Sequence, residues 1–260
     1  MLLCIDIGNT NIKLGLFEGE QMRANWRISS VSTRLADEYA MLLLNLLASE
    51  TLQAGQINGC AISSVVPALT QVFSELTGRY LEQSPLIIRP DIPIGMQIRT
   101  DNPAEVGPDL VMNAVGARHL LGAPVIAVGF GTATTFVAVS TQGDLEGVAI
   151  APGIIASSNS LFQSTATLPQ VALSRPALAI GKNTITSLQA GLVFGFAGLV
   201  EGLIERMQTE LGGHARVIAT GGLANLIAPE TPMIEAVEPN LALIGLRLVY
   251  ERNRSPEAGA

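Results

Sequence analysis

Asp6-Ile7-Gly8-Asn9-Thr10-Asn11 lies between two apolar runs, Leu2-Leu3-Cys4-Ile5 and Leu14-Gly15-Leu16-Phe17. The pattern reads as a buried strand, a tight turn and a second strand. An acid at the end of a buried strand is costly unless it is paired or holds a cation. Gly8 lets backbone approach a ligand closely, and Asn9 and Thr10 offer short polar side chains. Together these residues suit a divalent cation and the phosphates of a nucleotide. A hairpin turn whose Asp caps its own backbone explains the hexapeptide equally well.

Working outward, strand-type runs fall at 2–7, 12–17 and 22–28, and apolar residues at helical spacing follow from Leu35 to Ala48. Another buried strand is expected over Ile57–Ser63, and a helix over Ala68–Tyr80 behind Pro67. Five prolines between Pro85 and Pro108 make that stretch extended, and a helix resumes near Asp109 and runs to Leu121. The pattern then restarts. Val125-Ile126-Ala127-Val128 leads into Gly129-Phe130-Gly131-Thr132-Ala133-Thr134-Thr135, with further strands at 135–140 and 145–150. This internal repeat predicts two similar halves, each opening with a three-strand meander, facing each other across a cleft. A single sheet of parallel strands is the competing architecture.

The later segments supply weaker signals. Thr184–Leu211 has clean helical spacing, with Gly191, Gly195, Gly198 and Gly202 close on one side. Those glycines imply close approach of another backbone, within the chain or across a dimer, or else a break into two helices. Arg216–Ala219 reads as a strand feeding Thr220-Gly221-Gly222, expected to open a helix onto a ligand. The final helix is expected over Asn240–Arg252, and the tail 255–260 is expected to be disordered.

Composition narrows the field. Aromatic residues are only 4% and the formal net charge is −7, which argues against a nucleic-acid partner. The apolar segment Leu192–Ile204 is read as too short to span a membrane, and it contains Glu201. Cys4 and Cys60 read as buried thiols in a reducing, cytoplasmic setting. His119 and His214 have no spaced partner and are given structural roles. Ser157, Ser158 and Ser160 lack a nucleophile elbow, so hydrolase chemistry has no support. Asp144 and Glu146 are read as solvated, and Lys182 as an exposed loop lysine.

The blocks Asp6–Thr10, Ser63-Ser64-Val65-Val66-Pro67, Asn102–Asp109, Gly131–Thr135, Pro152-Gly153, Gly181-Lys182-Asn183-Thr184 and Thr220–Gly222 come in an order that resembles type III pantothenate kinases. The resemblance implies an α/β fold of two ribonuclease-H-like domains (the actin-like ATPase type) with mixed sheets flanked by helices, divided at 1–117 and 118–254. It implies ATP-dependent phosphorylation of pantothenate at the start of coenzyme A synthesis. By that likeness Asp6, Ile7, Gly8, Asn9, Thr10, Asn11, Ile12 and Lys13 surround ATP and its Mg²⁺, with Asp6 toward the metal, and Thr134 contacts ATP. Gly107, Pro108, Asp109 and Leu110 bind pantothenate with Asp109 as the catalytic base, and Thr184 touches pantothenate near a dimer interface.

Three positions depart from the family pattern. Leu110 stands where an Arg is usual, Gly129 where an acid binds a monovalent cation (potassium or ammonium), and Val137 where a further acid is usual. Leu110 cannot pair with a carboxylate as a guanidinium does. Arg118 or Arg99 is a candidate replacement. The departures fit a kinase with altered cation dependence, one subunit of a hetero-oligomer whose partner supplies the missing Arg and acid, or a non-catalytic paralogue that binds nucleotide without turnover; the resemblance implies a homodimer or a heterodimer with a family member.

Overall fold

The computed structural model describes residues 1–165 and 167–254, so the expectation for the tail 255–260 lies outside the described residues. The chain groups into two compact units. The first contains Met1–Gln97, Asp101–Gly116 and the C-terminal helix that begins at Leu241. The second contains Ile98–Thr100 and Ala117–Asn240.

In the first unit β1 (Leu2–Ile7), β2 (Asn11–Glu18) and β3 (Gln21–Ser29) form an antiparallel meander, followed by helix α1 (Ala36–Ser49). Strand β4 (Gly59–Ser64), helix α2 (Pro67–Leu81) and the short β5 (Leu86–Ile87) come next. The sheet order is β3-β2-β1-β4-β5, with β4 parallel to β1 and β5 parallel to β4. Leu3, Ile5 and Ile7 of β1 join Tyr39 and Leu43 of α1 and Phe73 and Leu76 of α2 in one core. Alternation along a strand sends Leu2, Cys4 and Asp6 to the opposite face. Cys60 pairs in register with Leu3 and shares its face, so the two buried free thiols lie on opposite sides of the sheet. Burial raises both thiol pKa values. The proline-rich stretch holds one short 3-10 turn at Pro103–Glu105 before helix α3 (Pro108–Leu121), which starts in the first unit.

The second unit repeats the plan. Strands β6 (Val125–Phe130), β7 (Ala133–Val139) and β8 (Leu145–Pro152) form the meander. Helix α4 (Ile154–Ser164) and the 27-residue α5 (Thr184–Glu210) follow, then β9 (Arg216–Gly221), α6 (Ala224–Ile227) and β10 (Ala236–Val237). The order β8-β7-β6-β9-β10 matches that of the first sheet strand for strand, again with parallel β6·β9 and β9·β10 pairs. Two five-stranded mixed sheets of one topology, each flanked by helices, are two ribonuclease-H-like folds.

Several expectations change. Helix α7 (Leu241–Arg254) follows the second sheet in sequence but packs on β1, β2 and β4 of the first, so a division at 117/118 misassigns it. Small residues let it seat: Leu243 Cδ1 comes within 3.0 Å of where Gly15 would carry a Cβ, and Tyr250 fills the corresponding space at Gly59. Helix α5 is unbroken, and it is long and apolar enough to cross a membrane by length and composition. Its Leu192, Val193, Phe196, Val200 and Ile204 instead pack into the second core. Apart from the adjoining backbone of α5 itself, no atom of the described chain lies within 4 Å of a Cβ built on Gly191, Gly195 or Gly198, so no other described segment explains them. The Gly221-Gly222 segment opens only the four-residue α6, too short for the helix-start ligand site expected there. Helix α4, carrying Ser157, Ser158 and Ser160, is a helix the sequence pattern did not disclose.

Candidate active site

Asp6 is the penultimate residue of β1, paired with Lys13 of β2 and Ser63 of β4. It is only 8% exposed. Desolvation lifts its carboxyl pKa to about 6; the Lys13 charge opposes the rise, the Asp109 charge adds to it, and the Ser63 hydroxyl opposes it. Ser63 stands beside Asp6, yet neither Asp6 Oδ1 nor Ser63 Oγ completes a hydrogen bond of good geometry. A buried oxygen left this way awaits a partner.

The turn beyond Asp6 is strapped. Gly8 N–H donates to the Asn11 carbonyl at 3.0 Å, Ser30 Oγ donates to the Gly8 carbonyl at 2.6 Å, and Ser30 N–H donates to the Thr10 carbonyl at 3.0 Å. Neither Ser30 nor Ser63 is singled out from sequence as a site residue; Ser30 follows β3 with no signal but its position, and Ser63 lies near the end of β4 in one of the blocks that carry the family resemblance. Asn9, Thr10 and Asn11 are exposed, whereas the side chains of Ile7 and Ile12 are buried, leaving only their backbone for a ligand.

Asp109 lies in the first turn of α3. Its Oδ1 sits 2.6 Å from where Gly107 would carry a Cβ, so the carboxylate folds into space that only glycine leaves open. Burial raises its pKa, against hydrogen bonds from the backbone N–H groups of Leu110 and Asp109 itself and against the Lys13 charge. The helix-cap reading and the ligand-facing reading of Asp109 are therefore compatible. The first unit brings Asp6, Lys13, Ser63 and Asp109 into one electrostatic cluster. Leu110 is buried, so its side chain serves the core.

In the second unit Gly129 takes the place Asp6 has in the first, pairing with Thr135 of β7 and Thr220 of β9. Thr135 Oγ1 stands 2.6 Å from where a Cβ at Gly129 would be. Val137 is fully buried. Thr134 is fully buried too, and its hydroxyl donates to the Pro152 carbonyl at 3.1 Å. The residue of this turn with an exposed side chain is Thr132. Thr184 begins α5 and is exposed, behind an Asn183 cap that accepts from Thr186 N–H at 2.9 Å.

Both proposed replacements for the missing Arg already have partners. Arg99 binds Asp144 through Nε and Nη2 at 2.9 and 2.6 Å, and Arg118 Nη1 donates to the Gly143 carbonyl at 2.9 Å. Asp144 is thus ion-paired rather than solvated, and Glu146 lies 3.7 Å from the same guanidinium. His119, Lys182 and His214 are exposed, with His214 3.9 Å from Glu235.

Among the described residues no group of three or more His, Cys, Asp or Glu could hold a metal alone. The single orphaned carboxylate of Asp6 does fit Mg²⁺, which protein sites hold through one or two carboxylates plus substrate phosphates and water. The residues at Gly129 do not fit a carboxylate-held monovalent cation, since Thr135 occupies that space.

The duplicated sheets and their hairpin turns define a chain of two ribonuclease-H-like domains with the actin-like ATPase fold. An activator of 2-hydroxyisocaproyl-CoA dehydratase from Clostridium difficile has a similar fold (TM-score 0.56, 13% identity, 96% of this chain and 94% of that one). So does a Sinorhizobium meliloti protein assigned as a 2-dehydro-3-deoxygalactonokinase (TM-score 0.62, 16% identity, 100% and 99%). At such identities these likenesses speak to fold alone. The profile described as Type III pantothenate kinase matches residues 2–206. Type III pantothenate kinases from Moorella thermoacetica (51% identical, 97% of this chain and 100% of that one) and Roseiflexus castenholzii (52%, 98% and 100%) are similar along nearly the whole length. The chain belongs to the type III pantothenate kinase family.

Proposed function

We propose that the chain transfers the terminal phosphoryl group of ATP to the primary hydroxyl of pantothenate, giving 4′-phosphopantothenate, the first step of coenzyme A synthesis. The observation that carries this reading is the cluster of Asp6, Lys13 and Asp109 within one unit of a chain of this family. A primary alcohol is a weak nucleophile, and Asp109 takes its proton as the new P–O bond forms. Burial raises the pKa of Asp109, which makes it a stronger base than an ordinary carboxylate. Lys13 and the backbone of residues 7–12 hold the phosphates, because phosphoryl transfer depends on alignment and charge neutralisation more than on covalent help. Asp6 would hold Mg²⁺, which would supply charge screening for the phosphates. Gly107 and Pro108 place Asp109. No step is assigned to a monovalent cation.

The chain works as a dimer in the cytoplasm, where its two buried thiols stay reduced. The partner covers the face of α4 and α5, where Ile155, Phe162 and Ile185 are exposed and the open glycines allow close helix packing. Sedimentation should give a dimer that Gly195→Arg dissociates; a monomer at micromolar concentration would remove this part. Turnover is tested by supplying pantothenate and MgATP and following ADP and phosphopantothenate. Turnover by the purified chain supports a homodimer. Turnover only with a second family member from the same genome supports a heterodimer, and none under either condition ends the kinase reading.

A further inference from the structure

Five buried side-chain polar atoms among the described residues have no hydrogen-bond partner, and three of them belong to Asp6, Ser63 and Asn113. Asp6 and Ser63 are accounted for by the phosphate and metal side of the site. Asn113 is not. It lies on α3 four residues after Asp109, so the two side chains leave the same face of the helix, with Cβ atoms about 5–6 Å apart as for any such pair. Asn113 is 9% exposed and its Oδ1 is buried and unpaired. One turn further, Gly116 has the Leu241 carbonyl 2.5 Å from where its Cβ would be, and Gly245 of α7 crosses against the Met112 carbonyl. The backbone of α7 therefore closes this face of α3 just below Asn113, while Asp109 stands just above it.

We propose that Asn113 is a substrate-specificity residue whose Oδ1 accepts a hydrogen bond from the secondary hydroxyl of pantothenate. This rests on the kinase reading above. The secondary hydroxyl is separated from the reacting primary hydroxyl by one dimethyl-bearing carbon, a span that matches neighbouring turns of one helix face. With the primary hydroxyl on Asp109, the secondary one falls at Asn113 and supplies the donor that the buried amide oxygen lacks. A substrate that kept the primary alcohol but lost the second hydroxyl would leave this oxygen unpaired.

The test pairs Asn113→Leu with a pantothenate analogue lacking the secondary hydroxyl, reading steady-state kinetics with MgATP and, by calorimetry, binding to the chain in the presence of MgADP, which permits no transfer. Wild type is expected to lose roughly tenfold in KM or Kd on the analogue, and Asn113→Leu to lose the same factor on pantothenate. The variant should be nearly indifferent to the analogue, with KM for ATP and Tm unchanged, since Leu is close in shape and removes an orphaned polar atom. A folded variant with wild-type affinity for pantothenate overturns the proposal. So does wild type that takes both substrates equally well, a result that needs no variant to fold. Wild type that neither binds nor turns over pantothenate overturns the kinase reading and this one with it.

Discussion

Asp6 and Gly129 hold equivalent positions in two sheets of the same topology. Each is the penultimate residue of the central strand, and each is flanked by an antiparallel and a parallel neighbour, Lys13 and Ser63 in one case, Thr135 and Thr220 in the other. Each precedes a hairpin closed by a glycine N–H, from Gly8 to the Asn11 carbonyl and from Gly131 to the Ala133 carbonyl, both at 3.0 Å. The scaffold is duplicated and the chemistry is not. The first copy puts an acid into a buried position and carries the electrostatic cost in a pKa raised to about 6. The second fills the same position with neutral threonine side chains. Duplication of a fold thus supplies two turns of similar backbone, and side chains decide which of them carries charge.

The largest effect expected from breaking this asymmetry is at Asp109. Asp109→Asn keeps the shape and the helix start while removing the base, so kcat should fall by about 10²–10⁴-fold with nucleotide affinity retained. A rate within a few-fold of wild type would take the chemistry away from the acidic copy. Asp6→Asn comes next. It should weaken MgADP binding by roughly tenfold or more, measured by calorimetry, because a neutral amide replaces the one carboxylate suited to the metal. An unchanged MgADP affinity would separate Asp6 from the nucleotide.

The same substitution should stabilise the ligand-free protein at neutral pH. Burial raises the Asp6 pKa in the fold, so the folded state binds the proton more tightly than the unfolded chain does. Stability from this group is fully present below about pH 4 and is lost as pH rises through about 6. A rise from 3.8 to about 6 corresponds to roughly 3 kcal/mol. The upward shift of Asp109 acts in the same direction. Urea midpoints between pH 4 and pH 7 should therefore decline for wild type more steeply than for Asp6→Asn, and saturating MgADP should lift the neutral end of the curve. Parallel slopes for the two proteins would mean that Asp6 is better solvated than its burial implies.

The repeat was legible because its marks are local: apolar strands of five or six residues broken by Gly8 and Gly131 at matching places. Strands β5 and β10, two residues each, are too short for any periodicity to announce them. Three serines dilute the apolar pattern of α4. Spacing revealed that α7 is a helix, but not that the small residues Gly15 and Gly59, far away in sequence, make its seat on the first sheet. The site divides the same way. Asp6 and Asp109 stand out as acids beside glycine turns, and each glycine has a spatial reason. The inward turn of Thr134, the capture of Arg99 by Asp144 and the exposure of the α5 glycines are long-range outcomes that no window of sequence contains. Asn113 reads as the interior of an ordinary helix until its unpaired oxygen is seen.

The smallest effect sharpens the comparison most directly, because it asks whether the two positions are equivalent in substance. Gly129 has a Cβ site already occupied by Thr135 Oγ1 at 2.6 Å. Gly129→Ala should therefore cost about 1–3 kcal/mol through forced repacking, and Thr135→Ala in the same chain should recover most of it. If Gly129→Ala is destabilising in both backgrounds by the same amount, the threonine is not what excludes a side chain there. In the Thr135→Ala background, Gly129→Asp places an acid where the first copy has Asp6, but without a lysine paired in register beside it. Asp6 has Lys13 to oppose its desolvation, so the introduced acid should show the larger upward shift and the steeper loss of stability between pH 4 and pH 7. A flat profile would mean that the second turn solvates an acid which the first one buries, and the equivalence would end at the backbone.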